Sequence, residues 1–324
     1  MARVTASLAV LAALCVCACG SSGHAARPPT AAAPVARVVE RTQVAPRVVD
    51  LTIRSVALDT TAQVRLLTPD GWAAGRRDRT WPVLFLLHGC CDTYDSWERE
   101  TDIARIAALR DVLVVMPSGG EVGFYSDWLN HGRRGAPAWE TFHLAELRRI
   151  LERDFAAGPR RAIAGLSMGG LGAMAYAARH PGMFTAAASY SGLLSPLRDD
   201  RVLMGLFAAH TSDPADIWGD PVADRAQWAA HDPTSLAAKL HGTSLFVSSG
   251  DGRPGPLDRS RRTSRDPTET TVLGESRAFV ARLRHLHIPV RADFYGPGVH
   301  DWPYWQRELH RSLPLLLGAI GVQS

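Results

Sequence analysis

The strongest chemical signal in the sequence is the segment Gly165-Leu166-Ser167-Met168-Gly169. It follows a short apolar run and opens an apolar stretch with helical spacing, which is the strand–turn–helix context of a nucleophilic serine. Glycine is needed on both sides of the serine because side chains in such a tight turn would clash with neighbouring backbone. Backbone N–H groups at the helix start could stabilise a developing oxyanion. The segment therefore predicts Ser167 as a nucleophile rather than a passive turn residue.

A serine nucleophile needs a base, and the base needs an acid that orients it. Of the 12 histidines, His300 is the strongest candidate base, because it ends the rigid loop Tyr295-Gly-Pro-Gly-Val-His300 after the last expected strand. Two acids fit the chain order of serine, acid and histidine. Asp251 ends the penultimate expected strand, and Glu269 lies later, ahead of an expected helix. Sequence spacing leaves both acids open.

A second oxyanion donor is expected from the loop after the first buried strand. In Leu86-Leu87-His88-Gly89-Cys90-Cys91, the backbone amide of Cys90 stands where this architecture supplies an N–H group to the oxyanion. The amide of Met168, directly after the nucleophile, is the other expected donor. His88 is expected to pack beneath the site and to take no part in catalysis. Adjacent cysteines rarely bond to each other, so Cys90 and Cys91 indicate no disulfide framework.

The elements that must position these residues alternate between strand and helix from residue 47 onward. Continuous apolar runs predict strands buried on both faces, and two runs ahead of them predict an antiparallel pair. The expected strands are 48–53, 62–67, 82–87, 111–116, 161–165, 184–189, 244–248 and 290–295. Helical spacing predicts helices at 101–109, 140–155, 169–179 and 275–286. This order predicts a single α/β domain whose mostly parallel central sheet has helices on both faces.

The N-terminus predicts export. Residues 1–19 carry one arginine, an apolar core from Leu8 to Val16 and small residues after it, as a secretory signal peptide does. Val16-Cys17-Ala18-Cys19 resembles a bacterial lipobox, which would lipidate Cys19 and tether the protein to a membrane; simple cleavage and release is the alternative. Residues 20–46 are rich in Ala and Pro and predict a flexible linker. The catalytic domain is expected over 47–324, outside the cytoplasm.

Composition excludes several classes of protein. The 324 residues are 46% hydrophobic and 21% charged, which indicates a globular chain with a large core. After the N-terminal segment, no apolar run reaches the roughly 18 residues of a membrane span. The net charge is only +4 and the arginine pairs are scattered, so we expect no nucleic-acid partner. No cluster of His, Cys and Asp has ligand spacing, so we expect neither a metal nor a cofactor.

Together the motifs resemble the putative-esterase branch of the α/β-hydrolases, which includes the antigen 85 mycolyltransferases and, more distantly, esterase D (S-formylglutathione hydrolase). The resemblance runs from about Val48 to Leu317. The segments that carry it are 115–120, 124–128, 165–168, 189–192, 217–219 and 296–305. It implies the α/β-hydrolase fold and an enzyme that works through a serine acyl-enzyme.

The resemblance also implies which acid is catalytic. In these enzymes the position matching Asp251 is usually Asn, and the catalytic Glu lies ten residues before a helix Phe. Phe279 occupies that Phe position in this chain, which implies Glu269 as the acid and Asp251 as the fallback.

A substrate-lining surface is implied as well, at His88, Cys91, Asp127, Trp128 and Trp302. Mycolyltransferases carry Asp where this chain has His88 and Arg where it has Cys91, and both belong to their trehalose-binding surface. Their replacement argues against trehalose recognition and hence against mycolyl transfer.

Three functions are expected, in order of weight. The first is an exported serine esterase that hydrolyses a small-molecule or lipid ester. The second is a cell-envelope acyltransferase that moves an acyl chain to a sugar or glycerol. The third is a non-catalytic surface binding protein on a hydrolase scaffold, and the complete set of Ser167, Glu269 and His300 argues against it.

Overall fold

The strands form one sheet within residues 35–76, 78–259 and 263–323, the part of the chain that a computed structural model describes. They are β1 (Arg37–Ala45), β2 (Val48–Arg54), β3 (Thr61–Leu67), β4 (Trp81–Leu87), β5 (Leu113–Pro117), β6 (Ala157–Leu166), β7 (Ala186–Tyr190), β8 (Ser244–Ser249) and β9 (Arg291–Phe294). Their order across the sheet is β1-β2-β3-β5-β4-β6-β7-β8-β9. The pairings from β1 to β5 are antiparallel, and those from β5 through β4 to β9 are parallel. The predicted antiparallel pair is confirmed as β2 and β3.

The helices connect these strands and cover the sheet. They are α1 (Ser96–Glu100), α2 (Trp139–Thr141), α3 (Arg148–Phe155), α4 (Met168–Arg179), α5 (Asp200–His210), α6 (Ala215–Trp218), α7 (Arg225–Ala229), α8 (Pro233–Leu236), α9 (Pro267–His285) and α10 (Trp302–Ala319). A π-helical turn, Phe142–Leu147, joins α2 to α3, so the predicted helix 140–155 is helical throughout. No helix within the described ranges combines the length and the hydropathy needed to cross a membrane.

The continuous apolar run of β4 shows how the core is built. All seven of its residues are buried, because successive side chains point to opposite faces of the sheet and both faces are covered. Val83 and Phe85 belong to the layer that contains residues of α4 and α9. Leu84 and Leu86 belong to the opposite layer, which contains residues of α10. The predicted α/β class, with a mostly parallel sheet between two helical layers, is confirmed.

Strand β1 corrects the predicted linker. The sequence predicts a linker up to residue 46, but Arg37–Ala45 pairs with β2 along the sheet edge. The compact unit accordingly starts at Val35 rather than at residue 47. Most side chains of β1 are exposed, because backbone hydrogen bonds hold an edge strand and no apolar pattern is needed. The predicted signal peptide, including Cys19, lies outside the described residues.

Two predicted helices differ from those observed. The segment 101–109 forms two 3₁₀ turns, because the Thr101 hydroxyl bonds the Trp97 carbonyl oxygen and accepts the Ile103 N–H group in place of regular helical bonds. Helix α9 starts at Pro267, well before the predicted residue 275. Its cap is Asp266, whose side chain accepts the Glu269 N–H group at 3.2 Å. Glu269 therefore lies in the first turn of α9 instead of ahead of the helix.

Candidate active site

Ser167 lies in a sharp turn between β6 and α4. Its φ of 51° and ψ of −121° are in a region that residues with a side chain rarely adopt. The Ser167 N–H group donates to the Tyr190 carbonyl oxygen at 3.0 Å, which fixes the turn to the end of β7. A Cβ on Gly165 would lie 2.2 Å from the Gly169 carbonyl oxygen, and a Cβ on Gly169 would lie 2.3 Å from the Leu87 carbonyl oxygen. Both positions therefore require glycine, as the sequence predicts.

Glu269 and His300 are joined by a hydrogen bond in which His300 Nδ1 lies 2.8 Å from Glu269 Oε2. The Glu269 side chain is completely buried. Its other oxygen, Oε1, accepts hydrogen bonds from Ser191 Oγ at 2.8 Å, Ser249 Oγ at 2.9 Å and the Gly250 N–H group at 2.6 Å. Four partners thus satisfy a carboxylate that would otherwise be costly to bury. They also fix the oxygen that faces the histidine.

The imidazole of His300 is held from two further sides. Its backbone N–H group donates to Asp266 Oδ2 at 3.1 Å, which links the histidine loop to the cap of α9. The Trp305 ring packs edge-on against the imidazole with a centroid distance of 4.9 Å. The Trp305 indole N–H group also donates to Ser191 Oγ at 3.1 Å. With Nδ1 bonded to Glu269, Nε2 is the nitrogen left for the serine.

Sequence reasoning assigns no role to Ser191, Ser249, Asp266 or Trp305. Ser191 and Trp305 lie in segments that carry the family resemblance, so that resemblance is the available signal. Asp266 is recognisable as a helix cap once α9 is known to start at Pro267. Ser249 lies two residues before the fallback acid, and nothing in its spacing points to Glu269.

The fallback acid Asp251 has a different set of partners. Its carboxylate accepts hydrogen bonds from Arg253, with Nε at 2.8 Å and Nη2 at 2.7 Å. Its backbone N–H group donates to the Gly296 carbonyl oxygen at 2.8 Å, and the next residue, Gly252, donates to Gly298 at 2.9 Å. The segment therefore supports the histidine loop through its backbone. The structure brings Glu269 to the imidazole, and not Asp251.

The two expected oxyanion donors flank the serine. A Cβ on Gly89 would lie 2.6 Å from a Leu166 methyl carbon and 3.2 Å from the Ser167 Cβ, so the loop before Cys90 packs directly on the turn. Met168 is the first residue of α4, where an N–H group has no helical acceptor. Within the described ranges neither the Cys90 nor the Met168 amide donates a hydrogen bond to the protein. Both amides are thus available to an oxyanion.

His88 supports this loop from below. It is buried, its Nε2 accepts the Gly119 N–H group at 2.8 Å, and its Nδ1 lies 2.7 Å from the Gly89 carbonyl oxygen. Because Nε2 must accept, Nδ1 carries the proton and donates it to that oxygen. Burial lowers the pKa of His88, which favours this neutral form. The side chain packs beneath the site as expected, and its implied substrate-lining role is not seen.

Two cavities open on the serine, and Cys90, Ser167 and His300 line both. The larger, of about 450 Å³, is mainly apolar. Its apolar walls are Leu193, Val202, Leu203, Leu206 and Val272. The smaller, of about 250 Å³, contains two carboxylates and two indoles. These side chains are Asp92, Asp301, Trp302 and Trp305.

Of the implied substrate-lining residues, only Trp302 borders one of these two cavities in the described structure. The Asp127 carboxylate instead accepts the Thr141 N–H group at 2.9 Å and the Thr141 hydroxyl at 2.6 Å. The Trp128 indole donates to the Gly123 carbonyl oxygen at 3.3 Å. These side chains stabilise the segment that follows β5, and neither borders the two cavities.

Cys91 corrects two expectations. Its sulfur is bonded to that of Cys90, so the adjacent cysteines form a disulfide. The chain turns sharply at this point, with Cys91 at a φ of 67° and its N–H group donating to the Glu121 carbonyl oxygen at 3.0 Å. Cys91 borders neither cavity, and its sulfur instead contacts His210 at the end of α5.

Comparison with known proteins finds esterases and an acyltransferase among similar chains. Residues 55–316 match the profile of the Esterase family, described as a putative esterase. An esterase of Mycobacterium tuberculosis, Esterase Rv1288, is 34% identical over 264 residues, which are 78% of this chain and 56% of that protein. The chain thus spans little more than half the length of this relative. The diacylglycerol acyltransferase/mycolyltransferase Ag85A of Mycobacterium gordonae is 32% identical over 239 residues, 69% of each chain.

Solved structures show the same architecture. The crystal structure of Mycobacterium tuberculosis MPT51 superposes with a TM-score of 0.69 at 26% identity, covering 82% of this chain and 96% of that one. An S-formylglutathione hydrolase from Agrobacterium tumefaciens superposes with a TM-score of 0.66 at 17% identity, covering 88% and 99%. The second likeness shows the fold alone. The predicted α/β-hydrolase fold and the family resemblance are confirmed.

Proposed function

This chain belongs to the Esterase family, and on that basis we propose that it is an exported serine esterase, a carboxylic ester hydrolase acting through an acyl-enzyme. The observation that carries the proposal is the hydrogen bond between Glu269 Oε2 and His300 Nδ1, made beside a serine held in a strand–helix turn. Ser167 and His300 border the same two cavities, so a bound ester would meet both.

In the first step, Ser167 Oγ attacks the ester carbonyl carbon while His300 Nε2 takes the hydroxyl proton. Glu269 keeps the proton on Nδ1 and stabilises the imidazolium that forms. The carbonyl oxygen becomes an oxyanion and receives the N–H groups of Cys90 and Met168. Each donor of this kind contributes about 3–4 kcal/mol to transition-state stabilisation.

In the second step, the intermediate collapses and the ester C–O bond breaks. The imidazolium gives its proton to the departing alkoxide, which leaves as an alcohol, and the acyl group stays on Ser167. Water then attacks the acyl-enzyme, with His300 taking its proton, and the carboxylic acid is released. The serine regains its proton from His300.

The two cavities suggest how an ester is oriented. We assign the apolar cavity, with its leucines and valines, to the acyl chain, because burial of each CH₂ group is worth about 0.8 kcal/mol. The smaller cavity, with Asp92 and Asp301, suits the alcohol portion, whose hydroxyl groups the carboxylates could bind. The proposed substrate is a small-molecule or lipid ester with an apolar acyl group.

Export is proposed from the N-terminal sequence. Residues 1–19 have the pattern of a signal peptide, and lipidation of Cys19 would tether the enzyme to the outer face of a membrane. Mass spectrometry of the protein from a secreting bacterial host tests this: a start at Cys19 with an added diacylglycerol supports the tether. An unmodified N-terminus further along supports release, and a retained Met1 would contradict cleavage of the proposed signal peptide.

The test of the esterase is hydrolysis of p-nitrophenyl esters, from acetyl to long-chain acyl. We expect Ser167→Ala to lose turnover by at least about 10³-fold, because the nucleophile is gone. Ser235→Ala is the matched control, since that serine is exposed on α8, and it should retain full activity. Equal turnover by Ser167→Ala and the wild type would refute the proposed nucleophile.

Acyl transfer is the second candidate, and the similarity to an acyltransferase/mycolyltransferase favours it. It predicts that glycerol or a sugar added to the assay forms an acylated product faster than water forms free acid. Hydrolysis that is unchanged by every acceptor would leave the esterase. A folded protein that a fluorophosphonate probe fails to label at Ser167 would instead indicate a binding role.

A further inference from the structure

A second group of reactive side chains lies at the edge of the cavities, which Cys90 borders. Cys91 Sγ is 3.4 Å from His210 Nε2, and Cys90 Sγ is bonded to Cys91 Sγ. His210 is the last residue of α5, more than a hundred residues away along the chain, which is why no ligand spacing is visible in the sequence. The three ligand atoms lie within 4.8 Å of one another.

The distance between Cys91 and His210 suits two ligands of one tetrahedral metal ion. With Zn–S bonds of about 2.3 Å and Zn–N bonds of about 2.1 Å, a sulfur and a nitrogen on the same ion lie about 3.6 Å apart. The observed 3.4 Å between Cys91 Sγ and His210 Nε2 is close to that value. Two thiolates and an imidazole are also a ligand set that zinc prefers.

Glu121 supplies the group that orients a metal-binding histidine. Its Oε1 lies 3.5 Å from His210 Nδ1, and the Cys91 sulfur lies 3.4 Å from Nε2 and 4.0 Å from Nδ1. A carboxylate near this nitrogen favours the tautomer with the proton on Nδ1, which leaves Nε2 free for a metal. The side chains of His210 and Glu121 are 25% and 67% exposed, so an ion can enter and water can fill a fourth position.

We propose that Cys90, Cys91 and His210 form a redox-gated binding site for a thiophilic divalent cation such as Zn²⁺. The disulfide closes the site, because bonded sulfurs are not thiolates. A dithiol reductant transfers two electrons and two protons, which gives two thiols and leaves the reductant as a cyclic disulfide. Zn²⁺ then displaces both thiol protons and binds two thiolates, neutral His210 and one water.

Metal binding at this site would act on the proposed chemistry. Cys90 borders both cavities, and its amide is one of the two proposed oxyanion donors. An ion on the Cys90 sulfur ties this loop to the end of α5, whose residues form a wall of the apolar cavity. We expect ester turnover to fall on addition of Zn²⁺ to the reduced enzyme and to stay unchanged in the oxidised one.

The primary test measures binding and does not depend on ester turnover. It uses the full chain with Cys15, Cys17 and Cys19 replaced by serine, because these three cysteines could also bind zinc. The protein is reduced with dithiothreitol, freed of it without oxygen, and titrated with ZnCl₂ against a chromogenic chelator. We expect one Zn²⁺ per reduced chain and none per oxidised chain.

Two variants separate a built site from scattered thiol binding. His210→Ala should weaken Zn²⁺ binding by at least about 10–100-fold, whereas His285→Ala, an exposed histidine on α9, should leave it unchanged. Cys91→Ser should abolish both tight binding and the effect of oxidation. Zn²⁺ affinity that is equal in the oxidised and reduced chains, absent from both, or insensitive to His210→Ala would overturn the proposal.

Discussion

Exchanging Glu269 for glutamine is the sharpest test of the proposed triad, because it keeps the size of the side chain and removes one acceptor. Three donors converge on Oε1, so the single oxygen of a glutamine must occupy that position. The amide NH₂ group then replaces Oε2, 2.8 Å from His300 Nδ1. A donor there requires an unprotonated Nδ1, which moves the imidazole proton to Nε2. That nitrogen can then no longer accept the proton of Ser167.

The size of the effect follows from the tautomer. In serine proteases, placing an amide where the triad acid stood lowers kcat by about 10⁴-fold for this reason. At about 1.36 kcal/mol per tenfold change, this corresponds to about 5.4 kcal/mol of transition-state stabilisation. We expect Glu269→Gln to lose about 10³–10⁴-fold in kcat, with a much smaller change in KM, because neither cavity contains the Glu269 side chain.

The matched control is Asp251→Asn, which changes the fallback acid in the same way. The Asp251 carboxylate binds Arg253, and only the Asp251 backbone supports the histidine loop. The kcat of Asp251→Asn should therefore stay within a few-fold of the wild type. The assay is p-nitrophenyl butyrate hydrolysis, with near-ultraviolet circular dichroism to verify folding. If Glu269→Gln stayed within tenfold of the wild type while Asp251→Asn lost about 10³-fold, Asp251 would be the acid.

Three further perturbations test other parts of the reasoning. Gly169→Ala should unfold the protein or lower its melting temperature strongly, because the new Cβ would lie 2.3 Å from a backbone oxygen. Gly274→Ala, in α9 with open space around it, should instead stabilise the protein by up to about 1 kcal/mol. Thermal denaturation measures both effects. For the wild type, kcat/KM should rise about fourfold with each CH₂ added to the acyl chain from acetyl to hexanoyl esters. Leu206→Ala should make this rise smaller, and Val222→Ala, at an exposed position, should leave it unchanged. Burial raises the pKa of Glu275 to about 8, so between pH 4.5 and pH 8 the folded state holds a proton that the unfolded chain has lost. The free energy of unfolding should therefore fall as the pH rises through this range. Melting temperatures at pH 5 and pH 8.5 measure the fall, and Glu275→Gln should remove it.

The parts of the fold that sequence predicts well are those with a burial signal. Strands β4 to β8 each contain a buried, largely apolar run because both faces of the sheet are covered, and the sequence places each strand within four residues of its observed ends. Strand β1 has no such signal, since its exposed side chains are compatible with a linker and only its pairing with β2 makes it a strand. The predicted start of helix α9 is too late, because Thr268, Thr270 and Thr271 in its first turns are weak helix formers.

The candidate site divides in the same way. Ser167 and His300 are recognisable because each lies in a glycine-rich turn at the end of a strand, where local sequence and position in the sheet agree. Cys91 and His210 are not, because their proximity depends on how α5 returns to the loop after β4. Family resemblance implies a substrate-lining role for Asp127 and Trp128, whereas the observed hydrogen bonds of both side chains stabilise the segment around them.

The position of the acid explains why spacing leaves two candidates. An acid at the end of β8 would be the simplest partner for His300, and Asp251 stands there, but its neighbour Arg253 engages the carboxylate. The acid comes instead from α9, and its partners come from the ends of β7 and β8 and, through Ser191, from Trp305 on α10. Because these elements meet at one buried carboxylate, removing its side chain altogether should destabilise the fold and the imidazole together. The isosteric Gln exchange separates the two effects.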